Sequence, residues 1–171
     1  VIGVVAVQSF HSASAYGPKD LNLLNTISQH IALAIERKES EQKFLHDQQL
    51  LETILESSSV GICLLENRVF KWVNAEMVRL FGYDSKHYFT GQSARMIYAS
   101  QEAYKDTGEI VQKALMRNDK AEVDVELKRR DGTLFKAHIM VTSSNPKNPL
   151  ESTIGIFTDM SLRDVAQQEK R

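Results

Sequence analysis

The side chains of this sequence that could do chemistry are one cysteine and five histidines, and they are scattered along the chain. Cys63 lies in an apolar segment, where a small buried hydrophobic residue is the ordinary interpretation of a cysteine. Metal sites need several ligands clustered at defined spacing, and these residues form no such cluster. The sequence also lacks a glycine-rich phosphate loop, a nucleophile elbow and a catalytic pair of carboxylates. We therefore predict no metal site and no catalytic residues.

The individual histidines favour surface positions. His87 is expected in an exposed loop, and His138 shares a strand face with Met140, opposite the apolar face. His46 precedes Asp47 on a long helix, which is similar to the phosphoacceptor segment of a histidine kinase, where the carboxylate assists phosphorylation of the histidine. The proline expected after that segment is absent, so a solvated helix surface is predicted at His46 and the phosphoacceptor is kept as an alternative.

The composition is that of a soluble globular protein, with 42% hydrophobic and 25% charged residues in a chain of 171. A formal net charge of −1 gives no large-scale attraction for nucleic acid or anionic lipid. No apolar run approaches the roughly 20 residues that span a bilayer, and the N-terminus lacks a signal peptide. A single cysteine cannot form an internal disulfide, which fits the cytoplasm. We predict no nucleic-acid partner, no membrane contact and a cytoplasmic location.

A long helix is predicted from Lys19 onward, because no proline or glycine lies between Lys19 and Ser59. It would run for about 40 residues, or roughly 60 Å. Residues at alternating steps of three and four form the a and d pattern of a coiled coil: Leu21, Leu24, Ser28, Ile31, Ile35, Lys38, Gln42, Leu45 and Gln49. This seam is apolar early and polar later, so we predict a homodimer joined weakly through the helix.

The rest of the chain predicts five antiparallel strands, with helices inserted between the second and the third. Apolar and charged residues alternate from Ala121 to Lys128, which indicates a half-buried strand, and a two-residue Asp131-Gly132 turn leads to an apolar strand. The helices are expected to cover one face of the sheet and enclose an apolar cavity. The predicted strands are residues 1–8 ahead of the long helix and then 60–65, 69–73, 121–128, 134–141 and 152–158; the inserted helices are 75–81 and 101–117.

Several short motifs accompany these elements. They are Asn74 after the second strand, Phe81-Gly82-Tyr83 after the first inserted helix, Gly91-Gln92-Ser93 before the central helices, residues 126–133 across the hairpin of the third and fourth strands, and residues 155–161 with Arg163 at the C-terminal end of the domain. Together they make residues 51–163 resemble a PAS domain, an α+β fold with a five-stranded antiparallel sheet and helices packed on one face. The resemblance implies that Asp159, Ser161 and Arg163 form a junction with an output helix, and Asp159 is close enough in sequence to pair with Arg163.

Residues 1–37 resemble the end of a GAF domain, in which a last strand leads through a loop to a helix that here spans residues 20–36. The predicted organisation is a C-terminal GAF fragment at 1–37, a helical linker at 38–57, a PAS domain at 58–163 and the start of an output helix at 164–171. This order resembles a bacterial sensor histidine kinase or diguanylate cyclase. We interpret the sequence as a piece of such a protein, whose effector domain and any membrane anchor lie outside it.

The resemblance also bears on cofactors. Light-sensing relatives use a cysteine in an Asn-Cys-Arg-Phe type of motif, whose thiol lies over the ring of a flavin, and haem-binding relatives place an axial histidine on the longer helix. Neither is present here, so no flavin and no haem is expected. An unknown small molecule could occupy the apolar pocket, whose candidate lining residues are Ile62, Leu64, Met77, Leu80, Phe81, Met96, Ile97, Val111, Leu115, Val123, Val125, Ile139, Val141 and Ile156.

We therefore predict a sensory, signal-relay and dimerisation module of a two-component or phosphorelay protein, which is not itself an enzyme. Two alternatives stay open. The chain could be part of the catalytic region of a histidine kinase with His46 as phosphoacceptor. It could also be a structural PAS spacer, because every candidate pocket residue would equally be expected in a filled core.

Overall fold

The computed structural model describes residues 3–10 and 15–161. The chain forms two compact units, Val1–Glu52 and Thr53–Arg171. Helix α1, Pro18–Glu56, is 39 residues long and confirms the predicted long helix. Pro18 suits the first helical position, and the Asp20 carboxylate accepts a hydrogen bond from the Gly17 amide at 2.8 Å. Among residues 3–10 and 15–161, none of the helices has the combination of length and hydrophobicity that a transmembrane span requires.

The strand predicted at residues 1–8 is wrong for the part that the structure describes, because residues 3–9 have no regular secondary structure. A strand is stable only when a neighbouring strand pairs with its backbone groups. The ladders of the described sheet pair its five strands with one another and none of them includes residues 3–9. The side chains of Val4, Val5 and Val7 are accordingly exposed.

The second unit is built on a five-stranded antiparallel sheet, as predicted. Its strand order is β2-β1-β5-β4-β3, with two inserted helices and two 3₁₀ turns between β2 and β3. The strands are β1 Gly61–Glu66, β2 Val69–Val73, β3 Ala121–Lys128, β4 Leu134–Ser143 and β5 Ser152–Asp159; the helices are α2 Ala75–Phe81 and α3 Gln101–Leu115, and the 3₁₀ turns are Lys86–Tyr88 and Ala94–Ile97.

The core lies on the face of the sheet that the helices cover. Phe81 at the end of α2 is fully buried, and its ring meets the rings of Phe89, Phe135 and Phe157 edge-on at centroid distances of 5.6–6.1 Å. Gly82 ends α2 with a left-handed φ of 69°, a conformation that glycine adopts without a steric penalty. The aromatic cluster thus holds α2 against β4 and β5.

The two hairpin turns differ in length. The two-residue turn with positive φ lies between β1 and β2, at Asn67 and Arg68, whose φ angles are 49° and 63°. Between β3 and β4 the predicted Asp131-Gly132 turn is wrong, because the ladder continues to a bond from Arg129 N–H to the Thr133 carbonyl. The turn therefore holds three residues, and only Gly132 among them has a positive φ. Its Gly132 amide donates back to the Arg129 carbonyl at 3.0 Å.

Candidate functional site

A cavity of about 590 Å³ lies between helix α3 and the sheet. This volume is typical of a small-molecule site. Its floor is apolar and buried, and its mouth carries exposed polar residues. The lining residues are Leu65, Asn67, Arg68, Ala94, Ile97, Tyr98, Gln101, Tyr104, Lys105, Thr107, Gly108, Glu109, Val111, Gln112, Leu115, Ile139, Val141, Leu150, Thr153, Gly155 and Phe157.

Helix α3 forms the roof of the cavity. Its N-terminus is capped by Ser100, whose hydroxyl oxygen accepts a hydrogen bond from the Ala103 amide at 3.0 Å. Thr107, Val111 and Leu115 follow at four-residue intervals, which places them on one face of the helix toward the sheet. The amphipathic pattern of α3 thus supplies the inward side of the site.

One cationic side chain reaches this roof from the β1–β2 turn. The Arg68 guanidinium lies over the Tyr104 ring, 3.6 Å from its centroid, and donates a hydrogen bond of 2.8 Å to the Tyr104 carbonyl. A methyl group at Gly108 would stand 2.5 Å from an Arg68 nitrogen, so the glycine makes room for the guanidinium. Arg68 was not among the predicted site residues, because a long basic side chain at a turn carries no sequence signal of where it will pack.

Tyr98 places a phenol beside Arg68. It is buried, and burial raises the pKa of its hydroxyl to about 12 although the nearby Arg68 charge opposes the shift. Its hydroxyl forms a hydrogen bond with Thr107, and its ring meets Tyr104 edge-on at 5.4 Å. The phenol therefore stays neutral at physiological pH and presents a polar group to the cavity.

The structure places the candidate pocket residues in three environments. Ile97, Val111, Leu115, Ile139 and Val141 line the cavity. Met77, Leu80, Phe81, Met96 and Val125 belong to the hydrophobic core or pack against it, and Val123 lies half-buried on the helix-covered face of β3. The remaining three, Ile62, Leu64 and Ile156, lie on the opposite face of the sheet.

The placement of Ile62, Leu64 and Ile156 corrects the prediction. On β1 the residues that face the helices are small, Gly61 and Cys63, because α2 and β5 pack closely there. A methyl group at Gly61 would lie 2.7 Å from the Met77 sulfur, and one at Gly155 would lie 3.0 Å from the Cys63 sulfur. Close packing of the helix and strands thus assigns Ile62 and Leu64 to the outer face of β1.

Of the three predicted junction residues, the structure describes Asp159 and Ser161. Asp159 binds Arg129, from the β3–β4 loop, with 2.7 Å between Nη2 and Oδ2. Its other oxygen accepts a hydrogen bond from the Ser161 amide at 2.8 Å. Arg163 and the predicted output helix at 164–171 lie outside the described residues, so the partner that the structure shows for Asp159 is Arg129.

None of the described cysteine and histidine side chains lines this cavity. Burial raises the pKa of the Cys63 thiol to about 12, which keeps it protonated and a poor nucleophile. His46 and His87 are exposed, and His138 faces Asp124 across the β3–β4 ladder at 2.6 Å. His11 lies outside the described residues. Within 3–10 and 15–161, no group of histidine, cysteine and carboxylate side chains could hold a metal ion.

Comparison with known proteins identifies the fold. The sequence profile of the PAS fold matches residues 49–160. A PAS domain of a LuxR-family transcriptional regulator from Burkholderia thailandensis, solved with ethanol, has a TM-score of 0.60 at 24% identity, covering 64% of this chain and 96% of that one. No curated protein matches the sequence.

Two further solved structures share the fold at lower identity. A PAS domain of a two-component sensor histidine kinase has a TM-score of 0.55 at 17% identity, covering 70% of this chain and 98% of that one. The light-oxygen-voltage domain of a blue-light activated histidine kinase from Erythrobacter litoralis has a TM-score of 0.51 at 18% identity, covering 60% and 97%.

Proposed function

The chain belongs to the PAS family through residues 49–160, and from this premise we propose that it is a sensory and relay module of a bacterial signalling protein. PAS domains sense and transmit, and they are not themselves catalytic. In this proposal a small molecule binds in the cavity beneath α3. Its effect passes through β5 toward an effector domain of the parent protein.

The proposal depends on strand β5. The residues on one face of this strand line the cavity and continue to the C-terminal end of the domain. Thr153, Gly155 and Phe157 line the cavity. Asp159 is the next residue on that face, since side chains alternate along a strand, and it holds the ion pair with Arg129. A ligand that favours one position of β5 would therefore also bias the ion pair at the C-terminal end of the domain.

The surrounding organisation is part of the proposal. We propose that residues 1–37 are the end of a GAF domain, 38–57 a helical linker, 58–163 the PAS domain and 164–171 the start of the output helix. The parent would be a cytoplasmic or membrane-anchored sensor histidine kinase or diguanylate cyclase. The continuous helix α1 and the fold shared with the PAS domain of a sensor histidine kinase support this arrangement.

The cavity can be tested with xenon, which enters apolar cavities too small or too dry for other probes. We expect xenon under pressure to shift the NMR signals of Val111, Ile139 and Val141 and the amide signal of Met160, which donates to the Lys136 carbonyl beside the exit. Val111→Trp should fill the space and abolish these shifts. Mass spectrometry of the denatured protein would then identify any co-purified ligand.

Ile110→Trp is the matched control, because Ile110 is the exposed neighbour of Val111 on α3. It should leave the xenon shifts unchanged. A domain that admits no xenon and releases no small molecule would have a filled core, and the structural spacer would replace the sensor. Shifts at the cavity without any at Met160 would contradict the relay through β5.

Dimerisation through α1 predicts a second result. The seam residues Leu21, Ile31, Ile35 and Leu45 are exposed on the helix and would be buried by a partner helix. We expect Ile31→Glu to raise the dissociation constant of the homodimer at least about tenfold, since a buried carboxylate loses its hydration. Sedimentation equilibrium measures this constant.

Leu33→Glu provides the control for that experiment. Leu33 is 62% exposed on the same helix but lies off the seam. It adds the same charge and should leave the dissociation constant unchanged. Equal effects of the two substitutions, or a wild-type monomer at high concentration with its helix intact by circular dichroism, would contradict the proposed interface.

A further inference from the structure

We propose that the cavity takes an apolar carboxylate, with Arg68 as the residue that binds its charged end. The inference rests on the proposed function, because it names the ligand class for the same cavity. Its basis is a positive charge held at the edge of an apolar space.

The position of Arg68 is fixed by the turn and by helix α3. Its backbone has a φ of 63°, and its side chain is half-buried. The guanidinium is held flat against the Tyr104 ring and by the hydrogen bond to the Tyr104 carbonyl, over the gap that Gly108 leaves. A group held in this way loses little further freedom when a ligand binds it.

The charge of Arg68 is not neutralised by the part of the chain that the structure describes. The one described hydrogen bond of the Arg68 guanidinium goes to the Tyr104 carbonyl, and none of the described ion pairs includes Arg68. The other charged lining residues, Lys105 and Glu109, are exposed. A guanidinium has five N–H donors in a planar fork that matches the two oxygens of a carboxylate. The remaining donors of Arg68 suit such a group.

The floor of the cavity defines the rest of the ligand. Ile97, Leu115, Ile139 and Phe157 are each less than 5% exposed and carry no polar side-chain atom. They favour an alkyl chain or an aromatic ring over a sugar or a nucleotide. A carboxylate at Arg68 with an apolar body beneath α3 would satisfy both ends of the site.

The experiment compares carboxylates with alcohols of the same skeleton. Hexanoate, decanoate and phenylacetate are titrated into the 171-residue chain beside hexanol, decanol and phenethyl alcohol, and binding is followed by calorimetry and by NMR shifts at Val111 and Ile139. At least one carboxylate should bind about tenfold or more tightly than its alcohol, since a hydrogen bond to a charged group is stronger than one to a neutral group.

Arg68→Asn should abolish this preference, because asparagine tolerates the left-handed backbone but carries no charge. Arg68→Lys should retain part of it. Arg79→Asn removes a positive charge from an exposed ion pair on α2 and should preserve the full preference.

Equal binding of acid and alcohol, or a preference that survives in Arg68→Asn, would overturn this inference and leave the proposed function standing. If neither acids nor alcohols bind and xenon is also excluded, both the carboxylate inference and the proposed function fail. If xenon enters but no carboxylate binds, only the carboxylate inference fails.

Discussion

Asn74→Ala is expected to lower the free energy of unfolding of the PAS domain by about 3–5 kcal/mol, because it removes all four hydrogen bonds of a buried side chain together. Asn74 is fully buried. Its Oδ1 accepts from the amides of Ile62 and Met77 at 2.9 and 3.0 Å. Its Nδ2 donates to the carbonyls of Leu55 and Val60 at 2.9 and 3.0 Å. One side chain thus joins the end of α1, strand β1 and the start of α2.

Asn74→Asp provides a pH-dependent form of the same test. The second carboxylate oxygen would face the Leu55 and Val60 carbonyls, so burial and repulsion should raise the pKa of the new carboxyl in the folded state. The folded protein then holds a proton that the unfolded chain releases above a pKa of about 3.9. Stability of this variant relative to wild type should therefore be greatest in acid and should fall as the pH rises toward 7.

Urea denaturation of each variant at several pH values measures both effects. Ser100→Ala is the matched control, because Ser100 also caps a helix but makes one exposed hydrogen bond; it should cost about 1 kcal/mol without pH dependence. A loss at Asn74 no larger than that at Ser100 would contradict the structural role given to the asparagine.

Breaking the ion pair between Arg129 and Asp159 is expected to have the second-largest effect on the free energy of unfolding. Arg129→Met should cost about 2–3 kcal/mol, because it leaves the Asp159 carboxylate, whose side chain is 10% exposed, without its cation. It also removes a hydrogen bond of 3.0 Å to the Leu80 carbonyl and the stacking of the guanidinium on Phe135. Asp159→Asn should cost less, since the Arg129 side chain is 27% exposed and keeps its other partners.

A double-mutant cycle on Arg129 and Asp159 isolates the coupling between them. Arg130→Met is the control, because Arg130 forms its ion pair with Asp84 at the exposed surface and should change stability little. Asp159→Ala should in addition speed hydrogen exchange at the Ser161 amide, which loses its acceptor. In the parent protein, output that is unchanged by Asp159→Ala would contradict the relay, whatever the effect on stability.

Local sequence patterns determined most of the fold. The alternation of apolar and charged residues predicted β3, and the absence of proline and glycine predicted α1. Asn74 and Gly82 predicted the two ends of α2. These features depend on interactions within a few residues of one another, such as a helix cap or a strand period, so the sequence displays them directly. The three-residue loop between β3 and β4 was missed because Asp-Gly also suits a shorter turn.

Only the tertiary structure decided which apolar residues form the site and which charges meet. Apolar residues occupy both faces of β1. Close packing against Met77 and Gly155 places the small Cys63 on the face that the helices cover and Ile62 on the opposite face. Asp159 forms an ion pair with Arg129, which lies 30 positions away in sequence, and Arg68 donates a hydrogen bond to Tyr104, which lies 36 positions away. Such contacts arise when strands and helices assemble, because the energy of a side chain depends on what the fold brings beside it. No pattern within a single segment records that partner.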